Sequence, residues 1–236
     1  MKTILHKAEE RGHADHGWLN AWHSFSFASW YDPTKVQFGA LRVLNDDTIA
    51  AGMGFGAHPH DNMEIITIPL SGQLEHRDSM GNTGIISKGE VQVMSAGTGI
   101  QHSEKNKSSS DPLKLLQIWV FPDKENVKPR YDQSTYDLEA NKNSLVNIVS
   151  PMGEKEGLQI HQHAWFHLGK VEKGNSITHH LKDESNGVYA FMIDGEVTIN
   201  GENLMRRDAI GITEAKELKI SANEDSELLL MEVPML

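Results

Sequence analysis

Two short pairs of residues in this sequence have the spacing of metal ligands. His58-Pro-His60 places two imidazoles two residues apart, and His102-Ser-Glu104 repeats that spacing with a carboxylate in second place. In a β-strand, residues i and i+2 point to the same face and lie about 6.6–7 Å apart along the chain. Two such pairs on facing strands would offer three nitrogens and one anionic oxygen to a single cation. That ligand set suits Fe, Mn, Ni, Cu or Zn and is poor for Ca or Mg.

The alternative interpretation is that each pair is ordinary polar surface, as a single H-x-H in a loop usually is. Here both pairs are flanked by glycines and separated by strand and turn patterns, which favours the metal site. Four protein ligands on an octahedral ion leave two positions open. These suffice for a bidentate substrate, or for a substrate together with dioxygen.

The elements that must position these pairs are predicted to be β-strands. Short apolar runs are cut by Gly, Asn, Asp and Ser, and no long 3.6-residue apolar period is present. Asp194-Gly195 and Asn200-Gly201 have the composition of tight hairpins. The predicted strands are Glu64–Leu70, Gly84–Ser87, Val91–Met94, Leu115–Phe121, Val188–Ile193, Val197–Ile199, Leu218–Ser221 and Leu228–Val233. We therefore expect an antiparallel all-β sandwich or barrel, with a weak repeat relating residues 70–74 to residues 193–197.

Composition excludes several classes of function. The chain has 236 residues and no cysteine, so disulfide scaffolds, thiolate zinc sites and cysteine catalysis are ruled out. Its net charge of −11 argues against a general binder of nucleic-acid backbones. The apolar runs are too short for a signal peptide or a membrane span, so we expect a cytoplasmic protein with no direct nucleic-acid or membrane partner.

Several longer motifs carry a family resemblance. Gly52, His58-x-His60, Glu64 and Gly72 reproduce the first cupin motif, and Gly97-x-Gly99, His102 and Asn106 reproduce most of the second. The segments that extend the match are Trp22–Ala28, Phe38–Asp46, Met63–Ile65, Leu74–Ser79 and Met94–Glu104. Together they resemble the pirin family, densely over residues 10–135 and weakly to the end of the chain.

The resemblance implies a bicupin, with two all-β cupin barrels (double-stranded β-helix or jelly-roll) in tandem. We expect a metal-binding barrel at residues 1–125, a linker at 126–145 and a second barrel without metal at 146–236. The implied ligands are His58, His60, His102 and Glu104. Generic cupins use the carboxylate at Glu64, which is interpreted here as an outer or structural group. The implied cofactor is one divalent ion, Fe(II) before Zn, Mn, Ni, Co or Cu.

The resemblance also implies a function. Bacterial pirin-like proteins are described as quercetin 2,3-dioxygenases, which open the heterocyclic ring of a flavonol with O2 and release CO. The substrate would then be a flavonol-like small molecule, and Glu104 would be both ligand and catalytic base. The alternative function is a metal-containing regulator that binds a protein partner in response to redox or metal state. A cupin that binds a sugar or a small acid, or that isomerises its substrate, shares the fold and is disfavoured by the pirin-like segments.

The remaining histidines are expected to be structural or exposed. We expect His76 to be held by Asp78 or backbone, and His23 to be partly buried and hydrogen-bonded. His161-Gln-His163 repeats the H-x-H pattern, but no histidine follows His180, so a second cupin-type metal site is not expected. Three others, His6, His13 and His16, are expected at the surface. The candidate cavity walls are Met53, Phe55, Met94 and Trp119, although such residues in a β-barrel are more often plain core.

Overall fold

The structure, a computed structural model, describes all 236 residues and is built almost entirely of β-strands. Its single helical element is a 3₁₀ turn at Ala8–Glu10. The all-β prediction is confirmed. No helix in the chain has the length and apolar character that crossing a bilayer requires.

Twenty-two strands follow one another along the chain. The first twelve are β1 (Lys2–His6), β2 (Gly12–Asp15), β3 (Leu19–His23), β4 (Leu41–Ile49), β5 (Gly54–His60), β6 (Glu64–Ser71), β7 (Gln73–Asp78), β8 (Thr83–Ser87), β9 (Glu90–Ser95), β10 (Ile100–Asn106), β11 (Leu113–Val120) and β12 (Arg130–Thr135). The other ten are β13 (Ser144–Pro151), β14 (Leu158–Ile160), β15 (Trp165–Val171), β16 (Ser176–His180), β17 (Asn186–Asp194), β18 (Glu196–Ile199), β19 (Glu202–Met205), β20 (Ala209–Thr213), β21 (Glu217–Ala222) and β22 (Ser226–Pro234).

The strands form two barrels of matching design. In the first barrel, a seven-stranded sheet of order β12-β9-β6-β11-β4-β3-β2 accompanies a four-stranded sheet of order β5-β10-β7-β8. In the second, the orders are β1-β20-β17-β22-β15-β13-β14 and β16-β21-β18-β19. The weak repeat between residues 70–74 and 193–197 corresponds to the same event in both barrels, where the chain passes from the large sheet to the small one.

The two predicted hairpin dipeptides behave differently. Asn200 and Gly201 have φ of 49° and 93° and close a two-residue hairpin in which Ile199 faces Glu202, as predicted. The prediction for Asp194-Gly195 is wrong, because this dipeptide turns the corner between β17 and β18, which belong to different sheets. Gly195 is required at this corner, since its φ is 81° and an added Cβ would lie 2.3 Å from the carbonyl oxygen of Asp225.

The largest apolar cluster joins the two barrels. It contains 26 buried residues from both halves of the chain. On β6 and β11 its members have even numbers, such as Ile66 and Ile118, whereas on β22 they have odd numbers, such as Met231. Since alternate residues of a strand point to opposite faces, the two large sheets pack against each other through these residues. The opposite faces of the same strands line the barrel interiors.

The two interiors differ in character. Inside the second barrel lies one cluster of 15 buried apolar residues. The first barrel has only separate clusters of 7 and 4. Its interior therefore retains space between them for polar side chains, and the candidate metal ligands lie in that space.

Two segments cross the domain boundaries expected from the sequence. β1 lies within the expected first barrel, 1–125, yet it pairs with β20 at the edge of the second barrel. β12 lies within the expected linker, 126–145, yet it pairs with β9 of the first barrel. His6 at the end of β1 was expected at the surface and is buried instead, with its Nδ1 2.9 Å from the hydroxyl of Tyr189. Each of these two strands extends the edge of a large sheet and so pairs backbone groups that an exposed linker would leave unpaired.

Candidate metal centre

The two predicted ligand pairs lie side by side in the small sheet of the first barrel. β5 and β10 are antiparallel neighbours, and His102 is directly opposite His58. The ring centroids of His58, His60 and His102 are 4.4–4.9 Å apart. One nitrogen of each ring lies within 4.8 Å of the others. The structure therefore brings the three histidines close enough to share one cation.

Two of these imidazoles are in the protonation state that binds metals. Burial, with a contribution from the neighbouring histidines, lowers the pKa of His60 to about 4 and that of His102 to about 3. Both rings are therefore neutral at pH 7, as a metal ligand must be. The Nδ1 of His58 donates a hydrogen bond to the carbonyl oxygen of Gly56 at 2.8 Å, which leaves Nε2 free for a cation.

Glu104 places a buried carboxylate beside the imidazoles. Its Oε2 accepts a hydrogen bond from Nε2 of Gln117 at 2.9 Å, and the Oε1 of Gln117 accepts one from the hydroxyl of Thr67 at 2.7 Å. A carboxylate oxygen of Glu104 lies within 4.8 Å of ring nitrogens of His76 and His102. Burial raises the pKa of Glu104, and the hydrogen bond from Gln117 and the charge interaction with His58 offset only part of that rise.

Unpaired buried atoms show that these residues fit a metal ion. Neither ring nitrogen of His102 has a hydrogen-bond partner, and neither does Oε1 of Glu104. A buried polar atom without a partner costs about 1–3 kcal/mol, so several within one small cluster require an explanation. A divalent cation would satisfy them together, and the mixture of neutral nitrogen and anionic oxygen donors is the one preferred by transition metals.

Glu64 lies on the other face of the large sheet. It shares that face with Ile66 and Ile68, which belong to the cluster between the barrels. Its Oε2 accepts a hydrogen bond from the hydroxyl of Ser95 at 2.6 Å, and it also interacts with the backbone of His161 in the second barrel. The chain does not run straight from His60 to Glu64, because β5 ends at His60 and β6 begins in a different sheet. Glu64 therefore faces the interface between the barrels and not the histidines.

His76 lies at the border of the site. Its Nε2 is 3.3 Å from Oδ2 of Asp78, which agrees with the structural role expected from the sequence. The ring also stacks on Tyr131, with centroids 4.6 Å apart, and is fully buried. Its Nδ1 has no partner. His76 thus supports His102 and Glu104 from the side away from His58 and His60.

A cavity of about 200 Å³ opens beside the cluster. His58, His60 and Glu104 form part of its lining. The apolar lining residues are Leu19, Ala21, Phe27, Phe55 and Trp119. Of the four wall candidates from the sequence, Phe55 and Trp119 line the cavity, whereas Met94 is buried in the core and Met53 is exposed. The remaining lining residues are His23, Asn45, Asp47 and Gln117.

Sequence reasoning missed three polar residues of this site: Asp47, Thr67 and Gln117. A signal for Thr67 and Gln117 was present, since each interrupts an apolar strand at an inward position, whereas Asp47 lies within the polar run Asn45–Thr48 and does not stand out. Thr67 stands between Ile66 and Ile68, and both Thr67 and Gln117 are on the face opposite the inter-barrel cluster. His23 was expected to be buried and bonded, and its Nδ1 lies 2.8 Å from Oδ1 of Asn45.

The second barrel has apolar residues where the first has ligands. β21 occupies the place of β10, and its inward residues Leu218 and Ile220 belong to the apolar interior cluster. The motif His161-Gln-His163 lies in the connection between β14 and β15, so its imidazoles do not have the strand geometry of His58-Pro-His60. His167 and His179 do face each other inside this barrel, with ring centroids 4.9 Å apart.

The chain matches known proteins over nearly its whole length. Residues 5–120 match the family described as Pirin, and residues 147–233 match the Quercetinase C-terminal cupin domain. It is 45% identical over 230 residues to the Quercetin 2,3-dioxygenase of Escherichia coli (strain K12), with 98% of each chain covered. It is 39% identical over 225 residues to a Pirin-like protein of Caulobacter vibrioides, with 95% of this chain and 96% of that protein covered. The crystal structure of the bacterial pirin YhhW of Escherichia coli in complex with nickel(II) matches with a TM-score of 0.94 at 42% identity, covering 100% of both chains.

Proposed function

The chain belongs to the pirin family, and from this premise we propose that it is a metal-dependent dioxygenase that opens the heterocyclic ring of flavonols such as quercetin. The observation that carries the proposal is a cavity whose lining combines His58, His60 and Glu104 with aromatic walls, with His102 clustered beside the two histidines. Such a site combines a place for a Lewis-acidic ion with a surface for a flat aromatic substrate.

The proposed ligands are His58, His60, His102 and Glu104. Their support is the clustering of the ring nitrogens within 4.8 Å and the unpaired Oε1 of Glu104. We propose Fe(II) as the native ion, with Zn, Mn, Ni, Co and Cu as alternatives that the same donors would accept. The nickel(II) complex of the related YhhW supports the binding of a divalent ion.

The residues of the chain have separable tasks in this reaction. A bound divalent ion supplies Lewis acidity toward the oxygens of the substrate and of O2. Glu104 takes the proton of the flavonol 3-hydroxyl on Oε2, because the hydrogen bond from Gln117 uses only one of the two lone pairs of that oxygen and Oε1 is left for the ion. Phe27, Phe55 and Trp119 exclude water from the resulting electron-rich anion. One flavonol and one O2 are consumed, and one ring-opened ester and one CO are formed.

Oxygen admission to an anaerobic complex tests the proposal. The protein is loaded with a single divalent metal at a time, mixed anaerobically with quercetin, and then exposed to O2. We expect uptake of O2 with equimolar release of CO, and we expect neither with His102→Ala. If no metal loading supports O2 uptake with any flavonol, the proposed function is wrong.

A further inference from the structure

The cavity has polar side chains on two opposite walls, and the proposed metal ligands come from only one of them. The candidate ligands come from the small sheet. His23, Asn45 and Asp47 line the cavity from β3 and β4 of the large sheet. Sheets that face each other in a barrel are about 10 Å apart. A flat substrate held by a metal at the small sheet therefore extends toward the large one.

On this second wall, Asp47 is the residue without a partner. His23 and Asn45 are hydrogen-bonded to each other, whereas the residues directly across from Asp47 in the neighbouring strands are Ala21 and Leu115. Neither of these side chains can form a hydrogen bond. Asp47 is only 5% exposed, and its Oδ1 is buried without a partner. A buried carboxyl group loses its hydrogen bonds to water, and in the free protein no hydrogen bond to Oδ1 of Asp47 compensates for that loss.

We propose that Asp47 is a substrate-contacting residue, whose carboxyl group binds a phenolic hydroxyl of the substrate other than the one at the metal. This inference rests on the proposed function, because it takes a flavonol to be the occupant of the cavity. The small side chain of Ala21 leaves the carboxyl open on that side. A substrate phenol would supply the partner that the chain does not provide. Asp47 thus determines specificity among flavonols by their hydroxyl pattern.

The ionisation of Asp47 agrees with this role. Burial, with the nearby carboxyls of Asp46 and Glu104, raises the pKa of Asp47 to about 8. A neutral carboxyl group can donate one hydrogen bond and accept another, as a phenol also can. In its neutral form, Asp47 also adds no second negative charge near Glu104.

Two substrates and two variants test the inference. 3-Hydroxyflavone has only the 3-hydroxyl and 4-keto groups, whereas quercetin has additional phenols. Binding to the metal-loaded protein is measured anaerobically by quenching of tryptophan fluorescence, and turnover is measured separately. We expect Asp47→Leu to weaken quercetin binding about ten- to a hundredfold and to leave 3-hydroxyflavone binding unchanged. Asp47→Asn, which keeps a donor and an acceptor, should restore most of the loss.

Stability distinguishes this role from a structural one. Because the buried oxygen lacks a partner, Asp47→Leu should keep or raise Tm, by up to about 4 °C. The matched control is Gln92→Leu, which replaces another buried side chain without partners at a position that does not line the cavity, and it should leave flavonol binding unchanged. The inference is wrong if Asp47→Leu weakens both substrates equally, weakens neither, or lowers Tm with loss of metal.

The same experiments distinguish failure of the dioxygenase proposal from failure of the inference about Asp47. If the protein binds both flavonols but consumes no O2, the dioxygenase proposal fails and the binding constants still decide the role of Asp47. If the wild-type protein binds no flavonol at all, both proposals fail.

Discussion

Replacing Glu104 by glutamine should remove one metal ligand completely. The reason is the chain of two hydrogen bonds that connects residue 104 through Gln117 to Thr67. The hydroxyl of Thr67 donates to Oε1 of Gln117, so the Nε2 group of Gln117 is turned toward residue 104. In Glu104→Gln, the new side chain must present its oxygen to Gln117 to keep that hydrogen bond. Its NH2 group is then left facing His102, and an amide NH2 does not bind a cation.

The size of the effect follows from this geometry. Loss of a partner that only orients a ligand typically costs 10–100-fold in metal affinity. Glu104→Gln removes the anionic donor itself, so we expect at least about a hundredfold loss, or roughly 2.8 kcal/mol at about 1.4 kcal/mol per tenfold. Flavonol turnover at saturating metal should fall further, because the same change deletes the proposed proton acceptor.

Glu64→Gln is the matched control. Glu64 is equally buried, but its carboxylate contacts Ser95 at the inter-barrel face. Metal affinity is measured by competition with a chromophoric chelator, and metal content by elemental analysis. We expect Glu64→Gln to bind metal within about threefold of the wild type, well below the loss expected for an orienting partner. If Glu64→Gln loses the metal and Glu104→Gln retains it, the ligand assignment is wrong.

Three further outcomes are expected. His102→Ala should lose most bound metal yet keep the circular dichroism spectrum of the wild type, because the apolar clusters and not the ion hold the strands together; an unfolded variant would contradict this. Thr67→Val should weaken metal binding about tenfold by releasing Gln117, and Thr67→Ser should restore it, as chelator competition would show. Burial raises the pKa of Glu64 to about 7 from 4.5, so its protonated form stabilises the fold and this contribution is lost as pH rises from 4.5 through 7. In urea unfolding, the free energy of unfolding of Glu64→Gln should therefore rise by roughly 3 kcal/mol relative to that of the wild type between pH 4.5 and 8. If the difference between the two free energies does not change with pH, the pKa of Glu64 is not raised.

The candidate site could be predicted from the sequence in large part because its ligands are local pairs. The i, i+2 spacing of His58 and His60 fixes both rings to one face of whichever strand contains them. The same holds for His102 and Glu104. The eight predicted strands, out of twenty-two, could be recognised for a similar reason, since Gly, Asn, Asp and Ser interrupt the apolar runs between them, and the observed β6, β9 and β18 begin within a residue of the predicted ones.

The features that the sequence could not determine depend on which sheet each strand joins and on which faces of the sheets pack together. Glu64 and Glu104 both follow a histidine by an even number of residues, and only the change of sheet between β5 and β6 separates them. Asp194-Gly195 and Asn200-Gly201 have the same turn chemistry, yet one closes a hairpin and the other a corner.

The domain boundaries and the role of Asp47 were also decided only by the tertiary structure. β1 pairs with β20 across more than two hundred residues of chain, and no local pattern indicates that partner. Asp47 has no hydrogen-bonding neighbour because Ala21 and Leu115 lie beside it in register. Local spacing determines which side chains share a face of a strand, whereas long-range pairing and packing between sheets determine what that face meets.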